Sequence, residues 1–353
     1  MSDGASAPGP DDFAPRLLQW FDVSGRHDLP WQHPRTPYRV WLSEIMLQQT
    51  QVQTVIPYYL RFLDELPTLP DLAAADTDRV LALWAGLGYY ARARNLHKAA
   101  RVCVEQHGGD LPRDFDAMAA LPGIGRSTAG AILAQAHGDR FPILDGNVKR
   151  TLARYHGIGG WPGSGPVEKQ MWLLAERHLP AQRLADYTQA IMDFGATLCT
   201  RHDPACVLCP LQDDCVARRE GRVEQLPEAK PGKPLPERRT LMLMVRDARG
   251  HVLLARRPET GVWSGMWSLP EAGSHDEARE FLRPHALDFD AAEPLPLIEH
   301  TFSHYRLHIE PLGWRIAENG VARHDDHRWQ PFDQLADVGL PAPVKKLLGS
   351  LTP

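Results

Sequence analysis

The stretch LPGIGRSTAGAILAQAHGDRFPILDGNVKR, residues 121–150, constrains this chain more than any other. Pro122, Gly123 and Gly125 separate two helical patterns: FDAMAAL before the turn, and a second run in which Ala129, Ile132, Leu133 and Ala136 recur at i, i+3, i+4 and i+7. Gly138 is the expected stop of that second helix. A Gly-x-Gly turn at the head of a helix leaves backbone N–H groups free where the dipole favours an anion. That arrangement suits a phosphate of a nucleic-acid backbone without reading its sequence; an ordinary helix–turn–helix corner has the same pattern. Downstream, Ile143 and Leu144 lead into Asp145, followed by Gly146, Asn147 and a helical run carrying Val148, Leu152 and Tyr155. An aspartate there caps the helix, and the dipole and free N–H groups are expected to keep it ionised.

The 353 residues are enough for two or more domains with real cores. Hydrophobic residues at 43% and charged ones at 24% describe an ordinary globular protein. With a net charge of −5, no bulk attraction draws the chain to nucleic acid. A DNA-binding face must be local, and RARNLHK (92–98) and NVKR (147–150) are the candidates. The opening MSDGASAPGPDD is polar and reads as a disordered arm over residues 1–12, not as an export signal. No apolar run approaches the length of a membrane span, so a cytoplasmic protein with reduced thiols is expected.

From Phe13 onward the pattern is helical, with short loops marked by Pro and Gly. WLSEIMLQQTQVQTVIPYYLRFLDEL holds one or two helices, and DRVLALWAGLGYYARARNLHKAARVCVEQ two more around the Gly86–Gly88 break. VEKQMWLLAERHL and RLADYTQAIMDFGATLC follow, making residues 13–218 a nearly all-α domain. Across 219–238 proline and charge replace the apolar period, as in an extended linker. Beyond it, in 239–353, the period changes to two: TLMLMV, a DARG turn and HVLLARR predict a hairpin. LPLIEHTF and HYRLHIEPLGW predict a second pair of strands, and 333–351 a closing helix, so this domain is α+β.

Four of the five cysteines, Cys199, Cys206, Cys209 and Cys215, form a C-x6-C-x2-C-x5-C array within residues 199–215. So dense an array in a reducing compartment indicates a metal site more than disulfides. Thiolate chemistry admits zinc or a cubane iron–sulfur cluster. Cys103, at an apolar helical position, reads as core. WLSEIMLQQT places Glu44 among Leu42, Ile45 and Leu47, where partial burial would raise its pKa towards neutrality.

These segments together resemble a known family. The LPGIG hairpin and the LDGNVKR turn are similar to the helix-hairpin-helix DNA glycosylases, in which this aspartate is catalytic. The cysteine spacing resembles the loop that holds a 4Fe–4S cluster in endonuclease III and its relatives. WLSEIMLQQT and GLGYYARARNL resemble the segments that mark the MutY branch. The resemblance implies an all-α helix-hairpin-helix glycosylase domain with an iron–sulfur loop, followed by an α+β Nudix-like domain. It implies Glu44 and Asp145 as catalytic carboxyls, and a 4Fe–4S cluster on Cys199, Cys206, Cys209 and Cys215. Gln49, Thr50, Tyr89, Gly123, Gly125, Ser127 and Asn147 are the DNA-facing positions it implies in the helical domain, with Tyr89 as a wedge at the lesion. The implied partner is double-stranded DNA carrying A:8-oxoguanine or A:G mispairs, bound by a monomer.

Ser127 separates two versions of this reading. Endonuclease III-like enzymes carry a lysine there, which forms a Schiff base and cleaves the strand. With a serine, base excision without strand cleavage is expected; a bifunctional glycosylase/lyase and a non-enzymatic iron–sulfur DNA-binding module are the competing readings. In the C-terminal half, RTLMLMV and VLLARRPETGVWSGMWSLPEAG resemble the Nudix fold. AREFLRPH keeps only Arg279 and Glu280 of the Nudix box, so no pyrophosphohydrolase activity is expected. TFSHY resembles the family's 8-oxoguanine recognition loop, which implies Phe302, Ser303 and His304 as contacts.

Overall fold

The computed structural model describes residues 12–350 apart from 233, 259, 303 and 318–325. Ser303 and all of the expected N-terminal arm except Asp12 therefore lie outside the described residues. The chain divides into two compact units, Met1–Ala73 with Lys98–Gly232, and Ala74–His97 with Lys233–Pro353.

The first unit is helical. Its opening helix, Phe13–Ser24, buries Phe13, Leu17 and Phe21 at i, i+4 and i+8. They join Ile143, Leu144, Val148, Leu152 and Phe194 in one core. Thr36 caps the next helix, Pro37–Leu47, by accepting from the Arg39 amide, with Pro37 at the first helical turn where its missing N–H costs nothing. That helix is buried on most of its circumference (Tyr38, Val40, Trp41, Leu42, Ile45 and Met46), and it carries Glu44. It packs on Arg126–His137, the second helix of the hairpin, which Gly138 ends at φ 72°.

Two glycines permit close approaches that seat the segment around Asp145. A Cβ on Gly130 would stand 2.6 Å from the Pro142 carbonyl oxygen, so only glycine lets the chain at 141–142 lie against the hairpin helix. A Cβ on Gly195, in Leu184–Thr197, would stand 2.6 Å from Asn147 Cβ, so only glycine admits the start of helix Gly146–His156.

The second unit is built on a mixed sheet. Its strands are β1 (Glu237–Arg246), β2 (His251–Arg256), β3 (Trp267–Ser268), β4 (Glu271–Ala272), β5 (Glu293–Pro294), β6 (Ile298–Thr301), β7 (Arg306–Arg315) and β8 (His327–Pro331). The two expected pairs form: β1 with β2, and β6 with β7, both antiparallel. Pattern reading did not give the central pairing, in which β1 runs parallel to β7 from Glu237↔Arg306 to Arg246↔Arg315. Leu241, Leu243 and Val245 pack with Ala278 and Leu282 of helix His275–Leu282, while Met242 and Met244 are buried as well. Cover on both faces explains why β1 is a continuous apolar run and not an alternating one.

Three boundaries differ from the sequence reading. Residues 74–97 group with the second unit, not with a continuous 13–218 domain. Their ties are specific: Trp267 Nε1 donates to Asp78 at 3.2 Å, Arg94 donates to the Ser264 carbonyl at 2.7 Å, and a Cβ on Gly339 would stand 2.9 Å from Leu81 Cβ. The expected linker is shorter at both ends: Leu226 is buried, with its carbonyl accepting from Arg154 Nε at 2.9 Å, and β1 already starts at Glu237. The closing segment is a 3-10 stretch, Phe332–Asp337, then a separate helix, Ala342–Gly349; Gly339 and Pro341 fall in the break.

Candidate active site

The hairpin forms as expected. Helix Phe115–Ala120 ends at Leu121, Gly123 turns the chain at φ 77°, and Gly125 stands at the head of Arg126–His137. Gly125 has an ordinary extended backbone, φ −102° and ψ 175°, and a Cβ there would meet nothing within 4 Å. The fold itself therefore does not demand glycine at this position, whereas a backbone that receives a ligand closely would.

Asp145 caps Gly146–His156, its Oδ1 accepting from the Val148 amide at 2.8 Å. Burial raises its pKa, against the pull of the Val148 and Asn147 amides and of Arg150. The dipole and free N–H groups were expected to keep it ionised; the donors are in place, but burial acts against them and outweighs their pull. Glu44 is half-buried and its pKa is raised to about 7, first by burial and then by the negative charge of Asp145. The two carboxyls therefore stand close enough for the charge of one to raise the other.

Gln135 is a member of the site that pattern reading missed. It is buried, and its Nε2 donates to Glu44 Oε1 at 2.9 Å, which fixes the carboxyl and tempers its shift. Its signal in the sequence is a lone amide between Ala134 and Ala136, inside the helix's apolar run. Ser127 Oγ accepts from the Leu144 amide at 2.9 Å, pinning the segment that leads into Asp145. Asn147 Oδ1 accepts from Arg150 Nη2 at 2.7 Å, and its side chain also bonds Asp145.

Gln49 and Tyr89 hold left-handed backbone, φ 58° and 48°, and both are exposed, Tyr89 by 52%. Strained conformations of that kind in non-glycine residues concentrate at functional positions. Thr50 is half-buried beside Gln49, its amide bonding the Leu47 carbonyl. Several charges of the two basic runs are engaged within the fold. Arg92 is buried and lies over the rings of Trp84 and Tyr89 while donating to the Leu87 and Gly88 carbonyls. Lys149 pairs with Glu168 at 2.7 Å, and Arg150 donates to the Cys199 and Gly195 carbonyls.

Cys199, Cys206, Cys209 and Cys215 line one hollow together with Arg154, Pro204 and Arg218. Burial raises Cys209 to about 12, and the other three sulfurs push it the same way. Two donors already face sulfur: Arg154 Nη1 to Cys199 Sγ and the Leu211 amide to Cys209 Sγ, each at 3.4 Å. Among the described residues, no three His, Cys, Asp or Glu side chains stand as a ready single-ion site. Cys103 is fully buried, as expected of core.

In the second unit, Phe302 is half-buried in an aromatic group, with ring centroids 5.0 Å from Trp263, 4.6 Å from His300 and 4.7 Å from Tyr305. His304 is exposed beside it. Arg279, retained from the Nudix pattern, faces Asp276 and Asp290 at 3.4 Å, and Glu280 is exposed.

Residues 42–177 match the model of the HhH-GPD superfamily of base excision DNA repair proteins, and residues 241–350 match a NUDIX domain. The adenine DNA glycosylase of Buchnera aphidicola subsp. Acyrthosiphon pisum (strain APS) is 37% identical over 338 residues, spanning 95% of this chain and 96% of its own. The chain belongs to the adenine DNA glycosylase family. The Homo sapiens adenine DNA glycosylase is likewise 37% identical, over 85% of this chain and 66% of its own. Among solved structures, a thermostable thymine-DNA glycosylase superposes with a TM-score of 0.54 at 28% identity, covering 60% of this chain and 97% of its own. A non-covalent endonuclease III–DNA complex, at 22% identity and a TM-score of 0.51, has the same helical fold. The helical and Nudix-like architecture expected of this family member is therefore present, and its general activity is glycosylase chemistry in base excision repair. No described helix is long and apolar enough to cross a membrane.

Proposed function

We propose that this family member removes adenine opposite 8-oxoguanine or guanine in duplex DNA, by hydrolysis and without cleaving the strand. The observation that carries the reading is Glu44, a carboxyl raised to about 7 by burial and by the Asp145 charge. A group with that pKa is protonated in a useful fraction at neutral pH and serves as a general acid. Adenine must leave the base stack before its bond to the sugar is reached. Glu44 then gives its proton to N7 of adenine, the bond from N9 to C1′ breaks, and its electron pair leaves with the base. The sugar is left with oxocarbenium character.

Asp145 opposes that charge. Its burial disfavours the bare anion in the free protein, so a cation beside it is stabilised most at the moment the charge develops. Water adds to C1′ and its proton passes to Glu44, which restores the acid. Gln135 holds the Glu44 carboxyl through both steps.

Gly123 and Gly125 present the hairpin backbone to a phosphate, while Gln49, Thr50 and Tyr89 engage the opened stack. Ser127 and Asn147 face the DNA from the hairpin helix and the cap; with serine in place of lysine no Schiff base forms. Phe302, Ser303 and His304 recognise 8-oxoguanine, in a domain (239–353) whose Nudix box lacks its paired glutamates and so binds without hydrolysing. Cys199, Cys206, Cys209 and Cys215 fit a 4Fe–4S cluster, since four sulfurs surround one hollow and N–H donors already face two of them. When bound, the cluster supplies a rigid staple for a loop with little core of its own. The protein acts as a monomer in the cytoplasm.

Single-turnover reactions on duplexes with A:8-oxoguanine, A:G and A:C, each with and without alkali, test the reading. Adenine release from the first two, with strand breaks appearing only after alkali, is expected. Strand breaks without alkali, together with borohydride trapping of the protein on DNA, would establish a lyase instead.

A further inference from the structure

Arg126 follows Gly125 directly and begins the hairpin's second helix. It is exposed, yet its guanidinium is not free to wander: it lies over the Trp172 ring, 4.0 Å from the centroid. Trp172 comes from a different helix, Gly165–Arg177, and is half-buried against the core that holds Asp145's helix. Among the described residues no carboxylate pairs with Arg126, although other exposed arginines of this unit, such as Arg113 and Arg183, have one. A cation stacked by one face on an indole keeps its in-plane N–H donors unspent and has lost much of its side-chain freedom before any ligand arrives. That is the state in which an arginine binds a planar or tetrahedral oxyanion at least entropic cost.

We propose that Arg126, held in place by Trp172, is a phosphate-binding residue that fixes the DNA strand beside the hairpin. The proposal rests on the reading that the turn at Gly123–Gly125 receives a backbone phosphate. It adds a charged side-chain contact to the neutral amides of the turn, and makes Trp172 a positioning residue that never touches DNA. One full positive charge at this point also answers a question that composition raised. With a net charge of −5, and with Arg92 and Lys149 of the two basic runs engaged within the fold, local cations must still supply the attraction to phosphate.

The test measures equilibrium binding of the full-length protein to an A:8-oxoguanine duplex at several salt concentrations, with single-turnover adenine release at saturating DNA. Arg126→Gln is expected to weaken binding about tenfold. It should also lower the slope of log K against log salt by about 0.9, the signature of one lost phosphate contact. Adenine release at saturation should stay within about twofold of wild type, because the residue grips the strand and not the base. Trp172→Leu, which keeps apolar bulk but removes the π face, should fall between, and Trp172→Phe should recover most of the loss. Gly125→Val serves as the control on the turn itself. If Gly125→Val weakens binding while Arg126→Gln leaves affinity and salt slope unchanged, Arg126 only ties two helices together and the proposal is overturned. If neither variant changes binding, the reading of the turn falls and the proposal with it. A lower melting temperature for Arg126→Gln at an unchanged salt slope would likewise assign it a purely structural role.

Discussion

At the scale of single residues, the site is a problem of two acids raised by burial, one of which also raises the other. Glu44 has a folded-state pKa of about 7 against an ordinary 4.5, so the sign of its pH effects is fixed. Its contribution to stability is fully present below the ordinary value and is lost as pH rises through about 7, where the buried anion must form beside Asp145. Glu44→Gln should therefore flatten the fall in melting temperature between about pH 4.5 and about pH 7, the window between its unfolded and folded values. It should also lower adenine release by on the order of 10²–10⁴-fold while leaving mispair binding nearly intact; wild-type turnover would remove Glu44 from the chemistry. Asp145→Asn is predicted to stop excision without unfolding the helix, because asparagine is as good a cap as aspartate. A melting temperature that drops while excision survives would make Asp145 a cap and nothing more. Glu44 was legible in the sequence as a carboxyl among apolar neighbours, and Asp145 as a residue before a helix. The net direction of the Asp145 shift was not, because the cap donors are local in sequence and the burial that outweighs them comes from distant segments. Gln135 escaped for the same reason: its partner lies 91 residues away.

At the scale of elements, the hairpin and the cysteine loop make separate predictions. Ser127 accepts a backbone bond from Leu144, so Ser127→Lys both removes that acceptor and introduces an amine near the reacting sugar. A stability loss of about 1 kcal/mol and weak strand nicking, trappable by borohydride, are expected; nicking by the unmutated protein at comparable efficiency would contradict the hydrolytic reading. Cys206→Ser should lower the soluble yield and DNA affinity together, and protein purified anaerobically should contain iron. Zinc found in its place by elemental analysis would overturn the cluster assignment. Helices and hairpins were readable because their signals are local: the 3.6 period, the Gly138 stop, the DARG turn. The parallel β1–β7 pairing was not, since nothing in either hairpin specifies which strand of the other it meets. The arginines of RARNLHK looked like a basic face because a charge count cannot register that Trp84 and the Leu87 carbonyl already occupy Arg92.

At the scale of the whole molecule, the division of the chain changes how lesion recognition should be tested. Residues 74–97 group with the C-terminal unit, so cutting the chain near Glu220 would strip Leu81 and Asp78 of their partners at Gly339 and Trp267. Loss of excision in such a truncation would report lost packing as much as lost recognition. Substitution within the intact chain is cleaner: His304→Ala, at an exposed position, should reduce the preference for A:8-oxoguanine over A:G about tenfold and leave A:G excision unchanged. An unchanged preference would move recognition elsewhere. The central claim, that one protonated carboxyl set by burial and by its neighbour drives base release, is tested most directly by the pH dependence of single-turnover adenine release from an A:8-oxoguanine duplex. The account predicts a rate that holds below neutrality, falls as pH rises through about 7, and loses this dependence in Glu44→Gln. A rate that stays level or climbs through that range in the wild-type protein would contradict it.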